Sequence, residues 1–251
     1  IMNKINKVNA SIIIIGNEIL SGRTQDTNTG TISLWLNSLG IKVEEVRTIP
    51  DIEKTIIDTV NELRNKFSYV FTSGGIGPTH DDITAESISK AFSMEYGSHK
   101  EAYKILEKYY DPGKFTEGRQ KMACMPIDAE LILNPSSGAP GFSVENVFCL
   151  PGVPSILKSM LGGISHKLTG GKPLLSHTIN LNTVESEIAK SLSDVQKNNA
   201  EVDIGSYPFF RAGKLGVSIV LRSDDKTKLD ICNSQILNFV KDKKIEIVQN
   251  Y

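Results

Sequence analysis

Cysteine is scarce and poorly spaced for cross-linking: Cys124, Cys149 and Cys232 are odd in number, far apart and form no CxxC pair. That excludes a disulfide framework and a cysteine zinc site, and it fits a reducing cytoplasm, the expected location. Charge of one sign is also lacking. The chain has 28 basic and 29 acidic residues, a formal net of −1, so no overall field draws it to nucleic acid or to an anionic membrane. Small molecules become the expected partners. The apolar run at residues 10–15 is too short to span a bilayer and ends at once in Gly16-Asn17-Glu18, which does not suit a secretory leader either. His80 sits in a loop without an orienting partner and is set aside as a base. What remains is ample for a core: 39% of the 251 residues are hydrophobic and 23% charged. That length predicts one large unit and one small one.

Residues 8–15 are rich in β-branched side chains, the pattern of a strand covered on both faces. Thr27 or Asn28 then caps a helix carrying Ile32, Leu34, Trp35, Leu36 and Leu39, with Gly40 as its stop and Trp35 as a packing residue. Residues 41–49 read as a strand, and Asp51 caps a helix in which Ile52, Ile56, Val60 and Leu63 recur. Residues 69–72 make the third strand. Strands alternating with amphipathic helices predict a mainly parallel sheet in three α/β/α layers. Residues 96–123 read as helical, with Arg119 and Lys121 offered either as phosphate partners or, more plainly, as part of a solvated face, and residues 127–133 and 141–150 supply further strands. Thr169-Gly170-Gly171-Lys172-Pro173 marks a linker, giving units at 1–168 and 169–251. The second unit reads as strand 175–181, helix 184–198, strands 202–207 and 215–221, helix 226–240 and strand 245–248. That β-α-β-β-α-β order is the small α+β ferredoxin-like motif. Gly213-Lys214-Leu215-Gly216 matches a GxxG clamp formally, but it falls where a hairpin must turn and no basic stripe accompanies it, so no RNA partner is expected.

Phosphate chemistry shows in one run, Ser73-Gly74-Gly75-Ile76-Gly77-Pro78-Thr79-His80-Asp81-Asp82-Ile83-Thr84, at a strand-to-helix junction. Gly74, Gly75 and Gly77 let backbone N–H groups approach an anion, and the first turn of the next helix adds unpaired N–H groups. Ser73 and Thr79 complete the phosphate contacts. Asp81 and Asp82 beside an anion need a cation between them and it, and magnesium suits carboxylate and phosphate oxygens. A plainer reading competes: a glycine turn followed by a helix cap, with Thr79 and Asp82 at capping-box spacing. Ligands of parallel α/β sheets bind outside the carboxyl ends of the strands, where Glu18, Asp51 and the glycine run all begin. Taken singly, Glu18 reads as a solvated loop acid and Asp51 as an N-cap. Two later loops, one with Ser137 and Gly138 and one with Pro151 and Gly152, are rich in small residues and suit close backbone approach.

Together these stretches resemble the molybdopterin-binding superfamily of MogA, MoaB and the N-terminal part of CinA. Gly16-Asn17-Glu18-Ile19-Leu20-Ser21-Gly22 is similar to its opening motif, and Asp26-Thr27-Asn28 to the next motif in CinA. Residues 72–84 are similar to its glycine-aspartate signature. Gly138-Ala139-Pro140-Gly141-Phe142 and Leu150-Pro151-Gly152-Val153-Pro154 are similar to later CinA motifs, although Ser136-Ser137-Gly138 departs from the usual Val-Gly-Thr before Ala-Pro-Gly and leans toward eukaryotic FAD synthase. The second unit resembles the KH-like domain of CinA, and Gly205-Ser206-Tyr207-Pro208 the matching part of FAD synthase. The resemblance implies an adenylate or pyrophosphate ligand, with Asn28 among its contacts. It also implies a divalent metal, magnesium or cobalt, on Asp51 and Asp82, with Asp81 as a supporting acid. On this basis the chain is expected to hydrolyse an adenine dinucleotide such as ADP-ribose or FAD to AMP. Adenylyl transfer to molybdopterin and non-catalytic binding of a pterin or nucleotide stay open as alternatives. Relatives generally associate, so a homo-oligomer, a dimer first, is expected. These residues include neither the nicotinamide mononucleotide deamidase domain of full-length CinA nor the adenylylating domain of FAD synthase, and neither activity is implied.

Overall fold

Ile12, Ile13, Ile14 and Ile15 alternate between the two faces of one strand, and each face has its own core. Ile13 and Ile15 join one apolar cluster while Ile12 and Ile14 join another, the signature of a sheet sandwiched between helices. The computed structural model describes residues 8–211 and 214–248. The chain divides into two compact units, residues 1–171 and 172–251.

The first unit runs β1 (Asn9–Ile15), α1 (Asn17–Leu20), α2 (Asn28–Ser38), β2 (Lys42–Ile49), α3 (Glu53–Lys66), β3 (Tyr69–Ser73) and α4 (Thr84–Ala91). It continues β4 (Tyr96–Ser98), α5 (Lys100–Tyr109), α6 (Glu117–Lys121), β5 (Cys124–Pro126), β6 (Glu130–Ile132), β7 (Gly141–Val144), β8 (Val147–Leu150) and α7 (Pro154–Ile164). Six strands form the sheet in the order β2-β1-β3-β8-β7-β6. Pairing from β2 through β8 is parallel, and β7 and β6 add antiparallel partners. One face packs Ile56, Val60 and Leu63 of α3, Ile88 of α4 and Leu106 of α5. The other packs Ile32 and Leu36 of α2 with Leu157, Met160 and Leu161 of α7. Full burial of each such side chain contributes roughly 1.5–3 kcal/mol.

Several local expectations change. Residues 96–123 are not one helix: Gly97 lies in β4, and Pro112-Gly113, with Gly113 at φ 78°, separates α5 from α6. Residues 141–150 form the β7–β8 hairpin, because Glu145 turns the chain at φ 49° and Asn146 Nδ2 donates to the carbonyls of Arg64 and Phe67 at 2.9 and 3.0 Å. Residues 127–133 contribute only the short β6. Thr27 occupies the N-cap of α2, but the capping side chain is that of Asp26, whose Oδ1 accepts from the N–H groups of Asn28 and Thr29 at 2.9 and 3.1 Å. The expected Asp51 cap is absent: Ile52 holds the N-cap of α3 without a side-chain bond. The Thr79–Asp82 pair lies one turn before α4, whose N-cap is Ile83, so it does not start that helix.

The second unit runs β9 (Leu175–Leu181), α8 (Glu185–Asn198), β10 (Asp203–Arg211), β11 (Lys214–Ser223), α9 (Lys226–Asp242) and β12 (Ile247–Val248). Its sheet is antiparallel in the order β10-β11-β9-β12, the split arrangement predicted from its element order. Ile179, Val217, Ile219 and Leu221 face Ile188, Leu229 and Ile236 of its helices. The GxxG stretch includes Gly213, which lies outside the described residues. No helix among the described residues is long and apolar enough to cross a membrane.

Candidate functional site

Parallel pairing brings the carboxyl ends of β2, β1, β3 and β8 to one edge of the sheet. Because β7 runs against β8 and β6 against β7, the 133–140 loop returns to that same edge. Every loop singled out in the sequence therefore meets there, as expected of an open α/β sheet.

Asn28, at the start of α2, ties three of these segments together. Its Nδ2 donates to Ser73 Oγ at 2.9 Å and to the Gly152 carbonyl at 2.8 Å, while Ser73 Oγ donates to the Pro151 carbonyl at 3.3 Å. Gly74 N–H donates to the Leu150 carbonyl at 3.1 Å. Asn28, Ser73, Pro151 and Gly152 are thus one contiguous knot whose polar groups largely hold the loops to one another. Beyond it Gly74 and Gly75 adopt φ 108° and 70°. A Cβ on Gly74 would overlap the Ile15 carbonyl oxygen, and one on Gly75 would overlap Thr84 Oγ1. Glycine is required at both positions by the close approach as well as by φ.

Asp51 crosses to the first loop, its Oδ2 accepting the Asn17 N–H at 2.9 Å beside exposed Glu18. Thr79 Oγ1 lies 2.6 Å from both Asp81 Oδ1 and Asp82 Oδ2, and its N–H donates to Asp82 Oδ2 at 2.8 Å. One hydroxyl proton therefore serves two carboxylates. The Thr79 hydroxyl is the main reason that the Asp81 carboxyl titrates below its ordinary range. No hydrogen bond among the described residues joins Asp51 to Asp81 or Asp82; they stand on loops to either side of β1. His80 is almost wholly exposed and its Nδ1 lies 4.0 Å from Asp81 Oδ1.

Ser137 N–H donates to Asn134 Oδ1 at 3.1 Å, and Asn134 Nδ2 donates to Ser137 Oγ at 2.7 Å and to the Ala139 carbonyl at 2.8 Å. Buried Asn134 is therefore the organiser of that loop. Gly138, at φ 75°, lies under the Tyr109 ring.

Two residues at this edge have roles the sequence did not assign. Lys121 of α6, weighed as a phosphate partner or a solvated-face residue, donates from Nζ to the Thr79 carbonyl and lends positive charge to Asp81. Its distance in sequence from the glycine run hides this contact. Arg119 instead covers the Tyr110 ring, 4.2 Å from its centroid, and donates to the Lys114 carbonyl at 2.5 Å. Thr84 is fully buried with Oγ1 unpartnered beneath Gly75. As the first residue of α4 it invites reading as a helix start alone.

The donor chemistry suits a hydrated divalent ion shared with a ligand. Magnesium commonly takes one or two carboxylates plus phosphate oxygens, and paired carboxylates sharing one hydroxyl proton are short of positive charge. Among the described residues there is no group of three or more His, Cys, Asp or Glu able to hold a metal alone.

Residues 11–175 match the family described as "Probable molybdopterin binding domain", and residues 173–249 match "FAD synthase, middle domain". A protein of Archaeoglobus fulgidus is 34% identical over 233 residues, covering 93% of this chain and 98% of its own length. A protein of Pyrobaculum calidifontis is 35% identical over 210 residues, 79% of this chain and 80% of its own. Among solved structures, CinA from Thermoplasma acidophilum, described as of unknown function, superposes with a TM-score of 0.59 at 33% identity. It covers 63% of this chain and 98% of its own.

Proposed function

The chain belongs to the molybdopterin-binding-domain family, and from that premise we propose that it binds a phosphorylated pterin or adenine nucleotide at the loop edge of its first unit. The observation that carries this reading is the knot made by Asn28. It fixes the loops after β1, β3 and β8 in one register and leaves the Gly74-Gly75 turn and the start of α4 facing the same edge. The Gly74, Thr79 and Thr84 N–H groups already donate to Leu150, Asp82 and Gly75, and the remaining N–H groups of the glycine turn and of the first turn of α4 suit an anion. Ser73, Gly74, Gly75, Gly77 and Thr79 would surround one phosphate. Glu18, Asn28, Ser137, Gly138, Pro151 and Gly152 would shape the rest of the pocket.

A second reading, hydrolysis of the pyrophosphate in ADP-ribose or FAD to give AMP, is favoured by two observations. The second unit matches the middle domain of FAD synthase, and Asp81 and Asp82 crowd around one hydroxyl. Asp82 and Asp51 would hold a divalent ion, magnesium or cobalt, which when bound neutralises phosphate charge. Asp81, kept ionised by Thr79 and Lys121, would orient the neighbouring carboxylate. Lys121 adds positive charge beside Thr79 and Asp81, and glycine N–H groups would hold the phosphate in place. Adenylyl transfer would use the same contacts with a different nucleophile.

Purified protein with magnesium or cobalt is offered ADP-ribose, FAD and NAD separately, and molybdopterin together with ATP. Binding is followed by calorimetry and AMP release by chromatography. Binding of at least one ligand is expected, and it is expected to be lost in Asp82→Ala. If no ligand binds, the binding reading is wrong. If Asp82→Ala releases AMP as fast as the wild type, the hydrolytic reading is wrong.

A further inference from the structure

Asn28 has one more polar atom than the knot uses. The residue is only 6% exposed, and both Nδ2 hydrogens are committed, one to Ser73 Oγ and one to the Gly152 carbonyl. A carbonyl can only accept, so Gly152 fixes which way the amide faces. Asn28 Oδ1 is consequently oriented, buried and without a partner. Asn28 lines a cavity of about 60 Å³ together with Glu18, Asp26 and Ser73.

That lining is unbalanced in charge. Glu18 and Asp26 contribute carboxylates, and no lysine, arginine or histidine lines the cavity. Neither acid takes part in an ion pair among the described residues. Asp26 spends Oδ1 on the cap of α2, which leaves Oδ2. Glu18 folds back over Gly16, where a Cβ would meet its Oε1 at 2.5 Å, so Gly16 makes room for the carboxylate. Thr24, Gln25 and Thr27 complete the polar lining with neutral groups. A neutral donor would satisfy Asn28 alone and leave both carboxylates without a counter-charge. A cation satisfies all three oxygens.

We propose that this cavity is a binding site for a hard divalent cation of the magnesium class, held by Asn28 Oδ1, Glu18 and Asp26. At roughly 10–15 Å³ per water, the cavity takes the ion and a few waters, as suits magnesium, which keeps much of its hydration shell. Neither Asp51 nor Asp82 lines this cavity; they are engaged with Asn17 and Thr79. It does not rest on which phosphorylated ligand binds. Through Asn28 the ion would be coupled to Ser73 and Gly152, so its arrival would stiffen the loop knot.

The test uses the whole chain and manganese alone, without nucleotide, with free Mn²⁺ read by its electron paramagnetic resonance signal. An Asp51→Asn/Asp82→Asn variant is expected to retain one ion at an affinity matched by the corresponding site of the wild type, with magnesium competing. Adding Glu18→Gln, a surface change that leaves the fold alone, is expected to weaken that ion about tenfold or more. Asp26→Asn, which keeps the helix cap, should act in the same direction. The proposal is overturned if the Asp51→Asn/Asp82→Asn variant binds no manganese, or if Glu18→Gln and Asp26→Asn leave its affinity unchanged. Manganese binding without nucleotide or pterin binding would overturn the proposed function and leave this site standing.

Discussion

Cys149 of β8, flanked in the sheet by β3 and β7, is completely buried, and burial pushes its thiol up from 9.0 to about 12, with the Thr72 hydroxyl opposing the shift. Because the folded pKa lies above the unfolded one, the folded state holds the proton longer. The associated stability is intact below pH 9.0 and is lost as the pH rises toward about 12. Urea denaturation should therefore show the wild type weakening above pH 9.0 more steeply than Cys149→Ala, and equal slopes would refute the assignment. In the native state at mildly alkaline pH, half-buried Cys124 should react first with a thiol reagent, and Cys149 and Cys232 only on unfolding. Sequence spacing showed that these thiols do not pair. Their inertness belongs to the packing of a finished core.

At the level of elements, glycines of identical chemistry have opposite consequences. Gly74 stands at φ 108° against the Ile15 carbonyl, whereas Gly162, inside α7, has nothing within 4 Å of its missing Cβ. Gly74→Ala is expected to destabilise the first unit by roughly 2–5 kcal/mol and to abolish ligand binding. Gly162→Ala should stabilise by about 0.5–1 kcal/mol and leave binding intact. Thermal melts paired with calorimetry check both, and a Gly74→Ala protein that melts and binds like the wild type would sink the argument. The strands and long helices were legible because their apolar period is local: β1 with its isoleucines, and α3 with Ile56, Val60 and Leu63. What was not legible depends on partners far away in sequence. Asp51 looked like the cap of α3 but serves Asn17, and Lys121 looked solvated but reaches Thr79. A run of apolar residues also cannot show that Glu145 will bend it into a hairpin. The glycine run was readable as a strand-to-helix turn, yet its capping interpretation failed because α4 begins only at Thr84.

Among the described residues the apolar interior forms three clusters, two on opposite faces of the six-stranded sheet and one between the antiparallel sheet and α8 and α9. Each unit has its own core, and few elements of small size are needed to complete the second. Compact units of this kind commonly unfold as separate cooperative blocks. Differential scanning calorimetry should accordingly resolve two transitions, and brief proteinase K digestion should cut first in the exposed stretch 171–175. Ligand linkage then assigns the transitions. Anything that binds only the folded first unit raises that unit's midpoint by mass action and leaves the other where it was, about 2.7 kcal/mol of stabilisation at a hundredfold excess over Kd. Adding a bound nucleotide, or manganese alone, should therefore move one transition and not its neighbour. The same shift should vanish for the nucleotide in Asp82→Ala and diminish for manganese in Glu18→Gln. If both transitions rise together, the units do not unfold independently and the ligand edge of the first is coupled to the core of the second.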